Sequence, residues 1–156
     1  MLNNEVYIYT DGSCEKNPGG NGGYGAIILD GINPIKLSGF YEKTTNQRME
    51  IMATIQGMKF FKEKRTINIY TDSAYVCNCF KDGWYKSWIK NGWKTSTGTN
   101  VLNQDLWEEW IELIKFHDVK FHKVKGHSDN ILNNECDKMA RDIIAFTKMI
   151  RKDLSV

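Results

Sequence analysis

The chain has 156 residues, of which 41% are hydrophobic and 26% are charged, and its formal net charge is +2. This length and composition favour one globular domain that buries its own core without disulfides or structural metals. No apolar run approaches the roughly 20 residues that a membrane-spanning helix needs, and no secretory signal pattern follows Met1, so we expect neither a membrane protein nor a secreted one.

The first part of the chain is typical of an antiparallel meander. Residues 5–11 alternate between two faces, as a strand with both faces occupied does. A loop rich in Gly, Asn and Pro covers 12–23, and a second strand is predicted at 24–30. A turn at 31–34 then leads into a third strand at 35–41.

Residues 20–25, GNGGYG, satisfy the G-x-G-x-x-G pattern of dinucleotide-binding proteins. That pattern has a function only where a helix begins at its end and presents N–H groups to a pyrophosphate. The β-branched run 24–30 follows here instead. We therefore interpret these glycines as a flexible hairpin loop and not as a dinucleotide site.

The hydrophobic period changes to that of a helix after residue 45. Ile51, Met52, Ile55 and Met58 are spaced as one apolar helical face. The same reasoning along the rest of the chain predicts helices at 46–62, 73–81, 84–90, 102–116 and 134–148, and strands at 66–70 and 119–124. The predicted fold class is therefore α/β with a mixed sheet.

The tetrapeptide IYTD occurs twice, at residues 8–11 and 69–72, and each copy closes a predicted strand. If the two strands are neighbours, Asp11 and Asp72 leave the sheet on the same face and lie close together. Glu50, near the start of the first long helix, is long enough to reach them. Asp137 is predicted in the first turn of the last helix, where the helix dipole favours an anion.

Each of these four acids also has an ordinary interpretation, as a turn cap, a solvated helix residue or a partner of the helix dipole. Together, carboxylates within a few ångströms repel and raise one another's pKa unless a cation lies among them. Oxygen ligands without Cys or His fit a hard ion such as Mg²⁺. Two such ions about 4 Å apart are the usual means of directing water onto a phosphodiester.

Five segments of the chain are similar to the signature blocks of the type 1 ribonuclease H family. They are YTDGSCEKNPGGNGGYGA, TTNQRMEIMA, YTDSAYV, NGWK followed by DLW, and VKGHSDNILNNECDKMA. The blocks occur in the family's order between residue 5 and about residue 146. The resemblance implies a ribonuclease H-like fold, in which three antiparallel strands and then two parallel ones form a mixed sheet with helices on both faces. It implies a catalytic domain at 1–148, with 149–156 as a C-terminal helix end or tail.

The resemblance also implies an endonuclease that hydrolyses the RNA strand of RNA–DNA hybrids with two Mg²⁺ ions, Mn²⁺ being a substitute, and leaves 3′-hydroxyl and 5′-phosphate ends. In the family pattern Asp11 bridges both ions. Asp137 helps to hold the ion that activates water, and Glu50 and Asp72 hold the ion near the leaving oxygen. His127 matches a loop histidine that positions water or assists product departure.

Substrate contacts are carried over by the same resemblance. Those at the minor groove of the hybrid, where the 2′-hydroxyl distinguishes RNA from DNA, are Cys14, Asn17, Asn46 and Gln47. Those in a pocket for a DNA-strand phosphate are Thr45 and Asn103. Those that meet phosphates from a basic protrusion at 82–94 are Lys86, Lys90 and Lys94. An ordinary loop thiol remains an alternative for Cys14.

Several side chains receive a structural interpretation. Trp84 and Trp88 lie four residues apart on a predicted helix, on the side away from the lysines, which favours packing over base stacking. His117 and His122 match no family site. Ala74 and the uncharged segment 95–100 depart from the pattern of many relatives, which predicts weaker hybrid binding.

Two other function classes compete with the nuclease. A non-catalytic nucleic-acid-binding protein on the same fold is disfavoured because all four acids are present. A phosphatase with Asp11 as nucleophile needs a second nearby aspartate and a lysine clamp, which the residues after Asp11 do not supply.

The four cysteines have neither CxxC nor zinc-site spacing, which favours reduced thiols and a cytoplasmic location. Nothing in the chain requires more than a monomer.

Overall fold

A computed structural model describes residues 5–125 and 129–155 of the chain. The elements in these segments are β1 (Glu5–Cys14), β2 (Gly22–Leu29), β3 (Ile35–Tyr41), α1 (Asn46–Lys59), β4 (Thr66–Thr71), α2 (Ala74–Lys81), α3 (Trp84–Lys90), α4 (Gln104–Phe116), β5 (Asp118–Lys123) and α5 (Ile131–Leu154). The five strands form one sheet in the order β3-β2-β1-β4-β5. Pairs β3/β2 and β2/β1 are antiparallel, whereas β1/β4 and β4/β5 are parallel. The predicted mixed α/β sheet is confirmed.

Helices cover both faces of the sheet, and strand alternation decides which helix meets which face. Ile8 of β1 is fully buried and contacts Gly57 of α1. The core on this face includes the buried Trp107 and Trp110 of α4. Gly25 of β2 points to the other face and contacts α5. The sheet therefore separates α1 and α4 from α5.

The two copies of IYTD lie side by side in the sheet. Strands β1 and β4 pair in parallel so that Ile8 lies opposite Ile69 and Tyr9 opposite Tyr70. The two tyrosine rings stack with centroids 4.5 Å apart. The prediction that these two strands are neighbours is confirmed, and each aspartate follows its tyrosine by two residues, on the same face.

Gly20 lies in the loop between β1 and β2, but the interpretation as a hairpin loop was wrong for Gly22, Gly23 and Gly25. Strand β2 already begins at Gly22, so Gly23 and Gly25 lie inside it. A Cβ atom at Gly23 would lie 2.3 Å from the carbonyl oxygen of Ala140, and one at Gly25 would lie 2.5 Å from that of Cys136. These positions lack a side chain because the backbone of α5 packs directly on β2.

Replacement of Gly25 by alanine is therefore expected to destabilise the protein by about 2–4 kcal/mol, as overpacking against a rigid helix backbone does. Urea unfolding would measure the loss. The matched control is Ser38→Ala, at the exposed position of β3 that pairs with Gly25, which we expect to change stability by less than about 0.5 kcal/mol. Equal stability of the two variants would contradict the direct contact between β2 and α5.

The last helix is longer than predicted at both ends, running from Ile131 to Leu154 rather than over 134–148. Asn130 is its N-cap, and the side-chain oxygen of Asn130 accepts the N–H of Asn133 at 2.9 Å. Asp137 consequently lies in the second turn, where the dipole effect has decayed. The prediction that Asp137 complements the helix dipole was wrong.

Helix α5 is 24 residues long, but charged residues recur along its whole length. Within 5–125 and 129–155, no helix combines the length and the apolar character that crossing a membrane requires.

Both histidines that were given a structural role have one. His117 is 3% exposed; its Nδ1 accepts the N–H of Arg65 at 3.1 Å, and its Nε2 lies 3.0 Å from the carbonyl oxygen of Met58. The ring of His122 stacks on Tyr70 at 4.7 Å. The structural interpretation of both is confirmed.

Candidate active site

Asp11 and Asp72 lie together where the two central strands end. Asp11 belongs to β1, is 6% exposed, and accepts the N–H of Gly12 at 2.9 Å. Asp72 directly follows the last residue of β4. Because Tyr9 and Tyr70 are paired two residues earlier, the parallel register brings both carboxylates to the same point.

Glu50 reaches these carboxylates from the second turn of α1. A Cβ atom at Gly12 would lie 2.5 Å from the backbone nitrogen of Glu50, so the helix packs against β1 without an intervening side chain. The Glu50 carboxylate has a hydrogen bond with the Ser73 side chain. Ligand oxygens of Asp11, Glu50 and Asp72 all lie within 4.8 Å of one another.

Asp137 joins the cluster from the opposite side. Helix α5 carries it to the same cavity, and its Oδ2 accepts a hydrogen bond from Nε of Arg141 at 3.1 Å. The residues that line the cavity are Asp11, Gly12, Ser13, Asn46, Glu50, Asp72, Asn133, Asn134 and Asp137. The structure thus brings all four predicted acids to one cavity, the first three of them in closest contact.

The cavity raises the pKa of two carboxyls, those of Asp11 and Glu50. Burial, followed by the charge of Asp72, raises the pKa of Asp11 from its ordinary value of 3.8 to about 8, although the Gly12 N–H acts in the opposite direction. Burial and Asp72 also raise the pKa of Glu50, to about 6, against the hydrogen bond from Ser73. The negative charges are close enough for a cation to be needed when all are ionised.

The donor set of this cavity fits a hard divalent cation. The clustered ligands are carboxylate oxygens, which Mg²⁺ and similar ions prefer. Asn133 adds an amide at 2% exposure, and its Oδ1 has no hydrogen-bond partner within the described part of the chain. Such an acceptor suits a water ligand of a hydrated ion. A carboxylate cluster able to hold a divalent metal is therefore present.

The predicted minor-groove residues lie around the end of β1 and the start of α1, and one of them lines the cavity. Asn46 lines it, and its backbone N–H donates to Oδ1 of Asn17 at 3.1 Å, which ties the 15–21 loop to the start of α1. Cys14 ends β1, is half-buried, and donates its thiol to the carbonyl oxygen of Lys16 at 3.1 Å. Gln47 is exposed on the first turn of α1. The predicted His127 lies outside the described residues.

Thr45 and Asn103 are linked through Arg48. Thr45 is the N-cap of α1, and its hydroxyl accepts the N–H of Arg48 at 3.1 Å. The Asn103 amide accepts from Nη1 of Arg48 at 3.4 Å and donates to the Tyr75 hydroxyl at 3.2 Å. Arg48 is itself held by both carboxylate oxygens of Asp105, at 2.9 and 2.7 Å. Thr45 therefore contacts the backbone of Arg48, and Asn103 contacts the Arg48 guanidinium, which brings a cation to Asn103.

The basic segment at 82–94 has the arrangement that its spacing predicted. Lys86, Lys90 and Lys94 are all exposed. Trp84 and Trp88 are partly buried against the core, and the ring of Trp88 lies 5.7 Å from that of Trp107. The packing role of the two tryptophans is confirmed, and the lysines are left facing solvent.

Sequence reasoning missed three residues at the site, namely Asn133, Asn134 and Arg141. Asn133 follows the N-cap Asn130 by three residues, the spacing of a capped first turn. Arg141 follows Asp137 by four residues, the spacing of a helical ion pair. Both spacings are visible in the sequence. They place residues at the cavity only when the position of α5 relative to the cavity is known.

Comparison with known proteins identifies the family. The RNase H family model matches residues 3–145. A ribonuclease H of Caldicellulosiruptor saccharolyticus is 52% identical over 140 residues, covering 90% of this chain and 96% of the relative. A ribonuclease H of Chlorobium phaeobacteroides is 46% identical over 143 residues, covering 92% and 97%.

Solved structures share the fold at lower identity. LC9-RNase H1, a type 1 RNase H with the type 2 active-site motif, has a TM-score of 0.80 at 24% identity and covers 91% of this chain and 72% of its own. LC11-RNase H1, crystallised in complex with an RNA/DNA hybrid, has a TM-score of 0.63 at 20% identity and covers 88% and 94%. These two likenesses concern the architecture of the sheet and its helices.

Proposed function

This chain belongs to the ribonuclease H family and is a ribonuclease H enzyme of type 1, and from that premise we propose that it hydrolyses the RNA strand of RNA–DNA hybrids by two-Mg²⁺ carboxylate catalysis. The products are 3′-hydroxyl and 5′-phosphate ends. The catalytic domain is assigned to residues 1–148. The four free thiols suit a reducing, cytoplasmic compartment. Because the four acids of a single chain meet in one cavity, the proposal needs no second subunit, and we assign a monomer.

The observation that carries the proposal is the convergence of Asp11, Glu50 and Asp72, with oxygens within 4.8 Å of one another, in a cavity that Asp137 also lines. A cluster of carboxylates does not favour an apolar ligand. Concentrated negative charge needs a divalent cation, and a cation held by carboxylates suits the electrostatics of phosphodiester hydrolysis. That a protein of the same fold was crystallised with an RNA/DNA hybrid supports the choice of substrate.

The roles of the acids are those that the family resemblance implies. Asp11, which lies closest to Glu50 and Asp72 in a cavity that Asp137 also lines, would be a ligand of both ions. Glu50 and Asp72 would hold one ion, and Asp137 would help to hold the other. Bound Mg²⁺ would supply Lewis-acid activation of water and neutralisation of the leaving oxygen. The proposed part of His127 is to position water or to assist product departure.

Substrate selection is assigned to the rim of the cavity. Asn46 lies within reach of a nucleotide at the acids, and Asn17, Cys14 and Gln47 extend the same edge across the minor groove, where a 2′-hydroxyl is read. Thr45 and Asn103, with Arg48 between them, form the pocket for a phosphate of the DNA strand.

The test is cleavage of a labelled RNA–DNA hybrid in Mg²⁺, beside RNA–RNA and DNA–DNA duplexes of the same sequence. We expect cutting of the hybrid's RNA strand alone, with no cutting after chelation of the metal by EDTA. Retarded mobility of the hybrid without any cutting would instead favour the non-catalytic nucleic-acid-binding alternative. Equal cutting of the RNA–RNA duplex would contradict the assigned specificity.

Charge removal in the basic segment is expected to weaken hybrid binding. In a Lys86→Gln, Lys90→Gln, Lys94→Gln variant, the slope of log association constant against log salt falls by about 2–3, because each phosphate contact contributes roughly 0.7–0.9 to it. Fluorescence anisotropy at several salt concentrations measures the slope.

The control for this prediction is a triple glutamine variant at the exposed Lys59, Lys62 and Lys64, at the end of α1 away from the acids. It loses the same net charge without losing phosphate contacts. Identical slopes for the two triple variants would show that only net charge matters, against the assigned role of residues 82–94.

A further inference from the structure

A second groove leads away from the acidic cavity along α5. One wall consists of Ser13, Cys14 and Glu15, at and just beyond the end of β1, and the other of Arg141, Ile144, Ala145 and Lys148. Ser13 lines both this groove and the acidic cavity, so the two adjoin at this residue. A strand whose phosphodiester lies among the acids therefore has a path into the groove.

Cations line the α5 side of this path. At about 100° per residue, positions 141, 148 and 152 of a helix lie within about 40° of one another, and they span roughly 16 Å of its length. Arg141, Lys148 and Lys152 are all exposed. We name these three residues the α5 basic row. Its first member adjoins the acidic cavity and its last lies in the C-terminal extension.

Weak ion pairs hold two members of the row at the groove. Nζ of Lys148 lies 3.1 Å from Oε2 of Glu15, and Nε of Arg141 lies 3.1 Å from Oδ2 of Asp137. The side chains of Lys148 and Arg141 are 55% and 59% exposed. Ion pairs at such exposure contribute little to stability and exchange readily for other anions. A phosphate entering the groove would meet cations already oriented toward it.

Basic residues near the end of α5 could simply attach the helix to the rest of the protein. Arg151, which is not a member of the row, makes that attachment. The Arg151 guanidinium pairs with Glu42 and lies 4.7 Å from the centre of the Phe40 ring, which joins α5 to the end of β3. Lys152 lies on the groove side of the helix instead. The basic row therefore is not accounted for by packing of the helix terminus.

We propose that the α5 basic row binds backbone phosphates of the RNA strand on one side of the cut site, an inference that rests on the proposed function. The groove opens directly from the acids that act on the RNA strand. The pocket assigned to the DNA strand lies on α1 and α4, across the sheet from α5. The two strands of a hybrid would thereby be held on either side of the acidic cavity, and the C-terminal extension would belong to the substrate site.

The test measures binding without cutting, in the Asp11→Asn background. Lys148→Gln combined with Lys152→Gln is expected to weaken hybrid binding several-fold near 0.1 M salt and to lower the salt slope by about 1–2. The matched control is Lys59→Gln combined with Lys62→Gln, which removes the same number of charges. Lys59 is 53% exposed and pairs with Glu109 at 3.3 Å, as Lys148 pairs with Glu15, and Lys62 is exposed as Lys152 is. Unfolding temperatures should agree among the variants.

Neutral methylphosphonate linkages identify the strand. When they replace phosphates of the RNA strand beside the cut site, the difference between the Lys148/Lys152 variant and its parent should vanish. When they replace the corresponding phosphates of the DNA strand, the difference should persist. The reverse result would overturn the proposal. So would a salt slope of the Lys148/Lys152 variant equal to that of the Lys59/Lys62 control.

The outcomes separate this inference from the proposed function. A wild-type protein that binds the hybrid through the basic row but does not cut it would contradict the nuclease activity alone. A protein that cuts the hybrid with unchanged binding in the Lys148/Lys152 variant would contradict the basic row alone. Absence of hybrid binding by the parent would overturn both.

Discussion

Replacement of Asp11 by asparagine is expected to lower the rate of hybrid cleavage by on the order of 1,000-fold or more. Loss of a single preorganised charge-stabilising group costs about 10²–10³ in rate. Asp11 is the carboxylate on which the other three act and the proposed ligand of both ions, so its loss affects both. Single-turnover cleavage of a labelled hybrid in saturating Mg²⁺ measures the effect.

The control is Asp118→Asn, an exposed aspartate at the far end of the sheet, where β5 begins. It makes the same chemical change with the same change in net charge. We expect its cleavage rate to stay within about twofold of the wild type. A retained rate in Asp11→Asn, or an equal loss in Asp118→Asn, would remove the reason for placing the chemistry in this cavity.

The metal-free protein is expected to lose stability as the pH rises from about 4 to about 8. The pKa of Asp11 is raised to about 8 and that of Glu50 to about 6 in the folded protein, so the folded state binds more protons than the unfolded state in this window. Stability then falls with rising pH. Each pKa unit corresponds to about 1.4 kcal/mol, so the effect is on the order of a few kcal/mol.

Comparison with Asp11→Asn isolates this contribution from other titrating groups. Thermal unfolding in EDTA should show the variant more stable than the wild type at pH 8, with the difference shrinking toward pH 4. Addition of Mg²⁺ should raise the unfolding temperature of the wild type more at pH 8 than at pH 5, since the ion binds the ionised carboxylates. A variant less stable than the wild type at pH 8 would contradict the electrostatic account.

The positions of Asp11 and Asp72 could be predicted from the sequence, because they depend on strand register. The repeated IYTD placed Asp11 and Asp72 at the same offset from paired tyrosines, and parallel strands with equal offsets end side by side. Glu50 followed from the helical period of the segment after residue 45. The fold class followed from the alternation of strand and helix periods along the chain, because the hydrophobic period of each segment is a local pattern.

Contacts between segments that are far apart in the chain could not be predicted from the sequence. Nothing local in GNGGYG says that the backbone of α5 packs on β2 closely enough to exclude a Cβ atom, so the glycines were taken for a loop. The start of α5 was misplaced by three residues because the cap at Asn130 precedes a run of further asparagines. That error hid Asn133 and Arg141, whose places at the cavity depend on the phase of the helix.

Binding of two metal ions by the four carboxylates is tested most directly by anomalous scattering from crystals of the wild-type protein with an RNA–DNA hybrid. The crystals are soaked briefly in Mn²⁺ and frozen before cutting is complete, so that all four proposed ligands are intact. We predict two peaks about 4 Å apart, both within bonding distance of Asp11, with the RNA strand's phosphodiester between them. A single peak, or peaks away from Asp11, would contradict the account.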